Sequence, residues 1–471
     1  MRKGSGYPMV GLLLGVLATA IPPAAMAASA EQAARLGRDL TPTGAEAAGN
    51  ADGSIPAWEG SRRYRPEQLR LTYAELQAMR QREPAKVEAA IAPQGAAAKP
   101  RFTITRANLA QHADRLSEGH RALFARYPDY QMRVFPSIRS AFLPPAVDAA
   151  TRENALKAAL QGTDQVTGAR LGVPFPIPGS GAEVIWNHKL KYRGAAVRRF
   201  NNEVIVAQDG TFQLARIVED VKLKYGNPKA PAPIAEGLIL YYLQEVLSPK
   251  RIAGQLLLVH ETTDQSEGGR SAWIYNPGLG RTRRAPNVGY DNPKASADGL
   301  MFNDQTDMFN GALDRYQWKL LGKRELYIPY NATSIIAPGV SYERLVRRGF
   351  VAPELARYEL HRVWVVEATL KDGLRHSFRK RVFYVDEDSW SIALVDCYDD
   401  RGQLWRFQEA HLTTFPFVPA TTGSPEVHHD LQSGRYFVTA SYTGDDYPDF
   451  SADFEDSYFR PQTLASRKLR K

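Results

Sequence analysis

Hydrophobic positions along this chain follow two rhythms, which change over near residue 175. Before that point apolar residues recur at helical spacing. Residues 31–40 predict a short helix ahead of the turn Thr41-Pro42-Thr43-Gly44, and 73–90 predict a longer one. Two more fall at 117–127 and 151–161, beyond an Ala/Pro-rich stretch at 92–100. A proline- and glycine-rich segment, 172–181, then marks a loop.

From 176 onward, β-branched and aromatic runs at 204–208, 212–221, 238–246, 254–261 and 270–275 are spaced by turn residues, the pattern of antiparallel hairpins. Three explicit turns, Lys371-Asp372-Gly373, Asp386-Glu387-Asp388-Ser389 and Asp399-Asp400-Arg401-Gly402, cut 358–412 into a four-stranded meander. Alternation puts Trp364, Val366, Ala368 and Leu370 on one face of its first strand, and Leu374, Phe378, Val382 and Tyr384 on one face of its second. Residues 296–310 and 314–321 read as helix or irregular cover, and 433–442 as a last strand. The expected class is α+β: a leader at 1–27, a helix and loop region at 28–175, a large antiparallel sheet at 176–444 and a tail at 445–471.

The leader is read from Arg2 and Lys3, the apolar run 10–20, and Ala25-Met26-Ala27, which together predict an export signal cleaved between Ala27 and Ala28. Beyond it no apolar stretch reaches the roughly 20 residues that a spanning helix needs, and mean hydropathy is −0.38. The expected location is the periplasm, which removes nucleic acid from the expected partners. The net charge of +9 falls by two with the leader, leaving a mild basic bias compatible with peripheral membrane contact. Cys397 is the single cysteine, so no intramolecular disulfide forms.

The sequence shows no complete catalytic pattern. Gly179-Ser180-Gly181 lacks the flanks of a hydrolase elbow, and Gly278-Leu279-Gly280-Arg281 lacks the third glycine of a phosphate cradle. His260-Glu261-Thr262-Thr263 has no second histidine at metalloprotease spacing, and His428-His429 stands alone. The acidic clusters 386–388 and 399–400 sit at hairpin turns, where Asp bonds its own backbone. No enzyme, cofactor or metal is therefore expected. Two basic stretches, Arg375, Arg379, Lys380 and Arg381, and Arg281, Arg283 and Arg284, either receive a headgroup or partner, or form solvated sheet faces.

Two stretches carry a resemblance: 44–58, reading GAEAAGNADGSIPAW, and the run from Tyr358-Glu359-Leu360-His361-Arg362 through Val385-Asp386-Glu387-Asp388-Ser389-Trp390. Both resemble the bacterial domain-of-unknown-function family 1329, often labelled outer-membrane lipoprotein-sorting proteins. The resemblance implies an open half-barrel of the LolA/LolB type with an apolar concavity for acyl chains, and a bridging role beside an inner-membrane exporter of the resistance-nodulation-division type and an outer-membrane protein. Trp273-Ile274-Tyr275-Asn276-Pro277 followed by Arg281-Thr282-Arg283-Arg284 is similar to the strand, turn and basic strand of those carriers. Chain length and the long N-terminal region depart from them.

On that basis the residues expected to line an apolar face are Trp364, Val366, Phe378, Tyr384, Leu256, Leu258 and Trp273, with Arg281, Arg283, Arg379 and Arg381 for a headgroup or partner. A hollow sheet predicts a carrier of a lipid or lipoprotein acyl chain. A filled sheet predicts a structural component of an envelope export complex, and a cleft of paired polar groups would point to a lipid-acting hydrolase.

Overall fold

A computed structural model describes residues 27–96, 99–231, 233–234, 237–263, 269–285 and 289–467. The expected signal segment, apart from Ala27, lies outside the described residues. Among those described, no helix is long and apolar enough to cross a membrane.

The N-terminal region carries helices α1 (Ala30–Ala33), α2 (Pro66–Leu69), α3 (Tyr73–Arg82), α4 (Pro84–Ile91), α5 (Glu118–Arg126) and α6 (Pro145–Lys157). Pro84 ends one helix and begins the next because it cannot donate the bond a continuous helix would need. The region is not helix and loop alone. It also holds strands β1 (Phe102–Ile104) and β2 (Met132–Phe135) and a hairpin, β3 (Ala159–Gln161) and β4 (Gln165–Thr167).

After the loop come α7 (Gly181–Leu190), then β5 (Ala196–Phe200), β6 (Asn202–Val206), β7 (Phe212–Leu223), β8 (Leu238–Ser248), β9 (Leu256–Thr262), β10 (Ser271–Asn276) and β11 (Arg281–Arg284). The second series is β12 (Tyr316–Pro329), the short α8 (Tyr342–Leu345), β13 (Tyr358–Leu370), β14 (Lys380–Asp386), β15 (Ile392–Tyr398), β16 (Leu404–Phe415), β17 (Ala420–Asp430) and β18 (Tyr436–Ser441). The stretch expected as cover at 314–321 is instead the start of β12.

These strands form one sheet ordered β12-β13-β14-β15-β16-β17-β18-β6-β7-β8-β9-β10-β11, with β5 continuing the line of β6 against β7. All pairings are antiparallel except β2, which joins β13 in parallel at Tyr358↔Val134. β11 and β12 do not pair, so the sheet is an open half-barrel, and the fold is α+β. Register places Phe383, Val395, Gln408, His428, Phe437, Ile205 and Gln213 on one continuous face. That is the inner face.

Along β12–β16 the inner face is filled. All ten residues of α7 are buried, and a Cβ on Gly181 would stand 2.8 Å from Val366 Cγ1, so the helix rests directly on β13. Segment 302–309 fills the rest: Phe309 packs edge-on to Phe383 at 5.4 Å, and Gln305 donates to Gln408 Oε1 at 2.8 Å. On the outer face, Asp396 Oδ1 accepts the Gly119 amide at 2.9 Å at the start of α5. The two stretches that carry the family resemblance meet here. Arg139 grips Asp388 through both oxygens, at 2.9 and 2.7 Å, and donates to the Glu46 carbonyl at 2.7 Å, while Trp390 donates to the Thr43 carbonyl.

Candidate functional site: a cavity in one half of the sheet

Beyond β18 the inner face opens into a cavity of about 1260 Å³. Its wall follows the period of two. In β7, Ile217, Glu219, Val221 and Leu223 face it; in β8, Leu240, Tyr242, Gln244 and Val246; in β9, Leu257, Val259 and Glu261. The intervening residues face outward, where the C-terminal tail covers them. Lys222 and Lys224 pair with Asp456 at 2.7 and 2.9 Å, and Phe454, Phe459 and Leu464 pack on Leu243, Leu256 and Leu258. Met301, Phe309 and segment 292–298 close the opposite side. Exposed Gln213, Arg251, Pro293 and Ser296 mark where the cavity meets solvent.

Charged groups in the wall come as pairs: Arg199 with Glu219 at 2.9 Å, Lys294 with Glu203 at 2.6 Å, Arg270 with Glu261 at 3.1 Å, and Asp307 with Lys191 at 2.8 Å and also with Arg193. Burial, together with the nearby Asp307, raises the Glu426 carboxyl to about 8, so it is neutral in neutral solution. Burial draws the Lys189 amine down to about 7, and its Nζ donates to the Gly311 carbonyl at 2.5 Å. At the partition between the two halves, His188 Nδ1 accepts the Ile392 amide at 3.0 Å, so Nε2 carries the proton and donates to the Asp307 carbonyl at 2.7 Å. Burial holds that imidazole neutral, down at about 3.

The sequence-predicted residues distribute unevenly. Leu256 touches the edge of the cavity, but its side chain packs outward with Leu258 against the tail. Trp364, Val366, Phe378 and Tyr384 do not, and the expectation that they share an open face is corrected by register. Val366 pairs with Phe383 and faces α7, whereas Tyr384 pairs with Val365 on the outer face and donates to Asp396 at 3.0 Å. Phe378 sits between Phe302 and Trp405, and Trp364 stacks on Trp390. Leu258 and Trp273 point outward, Leu258 toward the tail and Trp273 against His260. Arg381 is also no headgroup ligand. It is 1% exposed, bound to Asp304 at 2.5 Å and flanked by Phe309, Tyr316 and Phe378. Arg379 is half-exposed beside Asp372. Arg281 and Arg283 are exposed, and since Arg283 pairs with Ile274 they share the face of that cavity residue.

Among the described residues, one trio, His361, Asp386 and Asp388, has a spacing that could hold a cation. Most of its valences are already met: Asp388 is clamped by Arg139, Asp386 Oδ2 accepts from Ser389 and Tyr330, and His361 Nε2 lies 3.3 Å from Glu359, while Asp386 Oδ1 has no hydrogen bond and faces His361 Nδ1 at 3.8 Å. It reads as an internal ion-pair network. Cys397 is buried, and burial pushes its thiol up to about 12, too high for a nucleophile.

An uncharacterized protein of Pseudomonas aeruginosa is 42% identical over 466 residues, covering 98% of this chain and 97% of its own. A lipoprotein-sorting-type domain from Vibrio parahaemolyticus aligns with TM-score 0.42 and 14% identity over 60% of this chain and 98% of that one. A LolA-superfamily protein from Nitrosomonas europaea aligns with TM-score 0.36 and 14% identity over the same shares. The family model described as protein of unknown function, DUF1329, matches residues 103–465, and this chain belongs to that family.

Proposed function

We propose that this protein is a non-catalytic periplasmic carrier that takes an apolar or amphipathic ligand, a lipid or lipoprotein acyl chain, into the hollow half of its sheet. The observation that carries the reading is the cavity of about 1260 Å³, formed by alternate residues of strands whose other face is independently packed. Each buried methylene is worth about 0.8 kcal/mol, so a 16-carbon chain resists leaving a membrane by roughly 13 kcal/mol. A carrier must return a comparable burial, and Ile217, Val221, Val246, Leu257, Val259 and Ile274 supply it. Exchange between an inner-membrane exporter of the resistance-nodulation-division type and an outer-membrane protein belongs to the same proposal.

The filled half favours a second role for part of the molecule. Its packed core and ion-pair network give a rigid surface suited to holding a partner in an export complex. Native mass spectrometry of protein released gently from periplasm, followed by lipid analysis of the solvent extract, separates the two readings. A stoichiometric apolar companion is expected; a bare mass unchanged by added lipid would transfer the function to the surface.

A further inference from the structure

The cavity wall is not uniformly apolar, and its polar groups are placed in order. Strand register sets Arg199, Glu219 and Gln244 in one row across β5, β7 and β8. Asn201 donates to Glu219 Oε1 at 2.5 Å, and the Tyr242 hydroxyl lies within hydrogen-bonding distance of both Glu219 and Gln244 Oε1. Toward the far ends of the same strands, Glu261 gathers Arg270, Tyr290 and Asn310. At the near ends, where Arg251 and Gln213 are exposed, the wall is Ile217, Val246, Ile252, Leu257 and Ile274. A ligand entering there passes an apolar collar before meeting the polar row.

Resting on the carrier reading, we propose that the ligand is an amphiphile whose uncharged oxygen group seats inward against Gln244 and Tyr242, with its hydrocarbon toward the mouth. Three observations carry this. The Gln244 Nε2 amide meets no protein acceptor among the described residues, and its side chain is in the cavity wall, so it offers donors to a ligand oxygen. Second, the charged groups in the polar row, Arg199 and Glu219, are already paired with each other at 2.9 Å, and Glu203, Glu261 and Asp307 likewise hold cations of the wall, so the row offers an entering headgroup polar contacts without a free counter-ion. An ionised headgroup seated at this row would have to break the Arg199–Glu219 pair to gain a counter-ion. Third, the volume exceeds the roughly 300–1,000 Å³ of sites for drug-sized ligands, which suits a body of two chains or several rings.

The test uses the full mature protein and three probes: dioctanoylglycerol, its phosphate monoester, and a pyrene-labelled hydrocarbon. Dioctanoylglycerol is expected to bind about tenfold or more tightly than the phosphate monoester. Gln244→Leu should lose roughly tenfold for dioctanoylglycerol while keeping its affinity for the hydrocarbon and its melting temperature. Equal or tighter binding of the monoester, or an unaffected Gln244→Leu, overturns the inward seat while leaving the cavity reading intact. The double variant Arg281→Ala/Arg283→Ala should change neither lipid's affinity; a selective loss for the monoester would put the headgroup at the mouth and also overturn it. If neither lipid nor hydrocarbon binds, the carrier reading falls and this inference with it.

Discussion

The inner face of one sheet is treated in two ways. Along β12–β16, Val366, Phe383 and Val395 meet side chains delivered by α7 and by segment 302–309; along β5–β10, Ile217, Val246 and Val259 line the cavity. Strand chemistry does not make the difference, since both stretches alternate branched apolar and polar residues. What differs is what the connections insert. The hollow half keeps its form because its support lies outside, where the tail packs on Leu243 and Leu258 and Tyr458 bonds Asp220. The lesson is that a curved sheet can separate stability from recognition by assigning them to opposite faces.

The comparison is broken most severely from the filled side. Trp186 is fully buried on α7, with its indole donating to the Thr163 carbonyl at 2.8 Å; Trp186→Ala should cost about 3–5 kcal/mol, read by denaturant melts. Arg139→Leu should cost a similar amount, about 3–5 kcal/mol, because it strands Asp388 as a buried charge; a melt unchanged from wild type would refute the network reading. Overpacking sharpens the contrast. Val395→Phe should destabilise by about 1–3 kcal/mol, whereas Val246→Phe should stay within about 0.5 kcal/mol while reducing ligand uptake.

A subtler effect comes from Glu426. Its folded carboxyl titrates near 8, above its ordinary 4.5, so the folded state binds the extra proton. Stability from this group is full below about 4.5 and declines as pH rises toward 8. Glu426→Gln should flatten the melting-temperature profile across that window; an identical slope in the variant would show that another group is responsible.

Much of this was legible in the residues. The meander was readable because Asp-Gly and Asp-rich turns punctuate it, and all four of its strands appear, although β14 begins only at Lys380, beyond Leu374 and Phe378. β12 was not, because a bulge between Leu320 and Gly322 shifts its phase and leaves Leu321 exposed, so its alternation never reads as one strand. α7 was missed because a helix buried all round has no apolar stripe; its one signal was the capping box Ser180-x-x-Glu183, whose Ser hydroxyl accepts the Glu183 amide. The site was misplaced for a third reason. Alternation says which residues share a face of one strand, but which half of the sheet stays empty depends on where distant segments such as 302–309 come to rest.

The alternation in β7 has a consequence for descent. Val218, Asp220 and Lys222 anchor the strand to its outer packing, while Ile217, Glu219 and Val221 face the cavity, so neighbouring codons answer to different pressures. A lineage can reshape the cavity by drifting at every second position, with the fold held constant by the positions between.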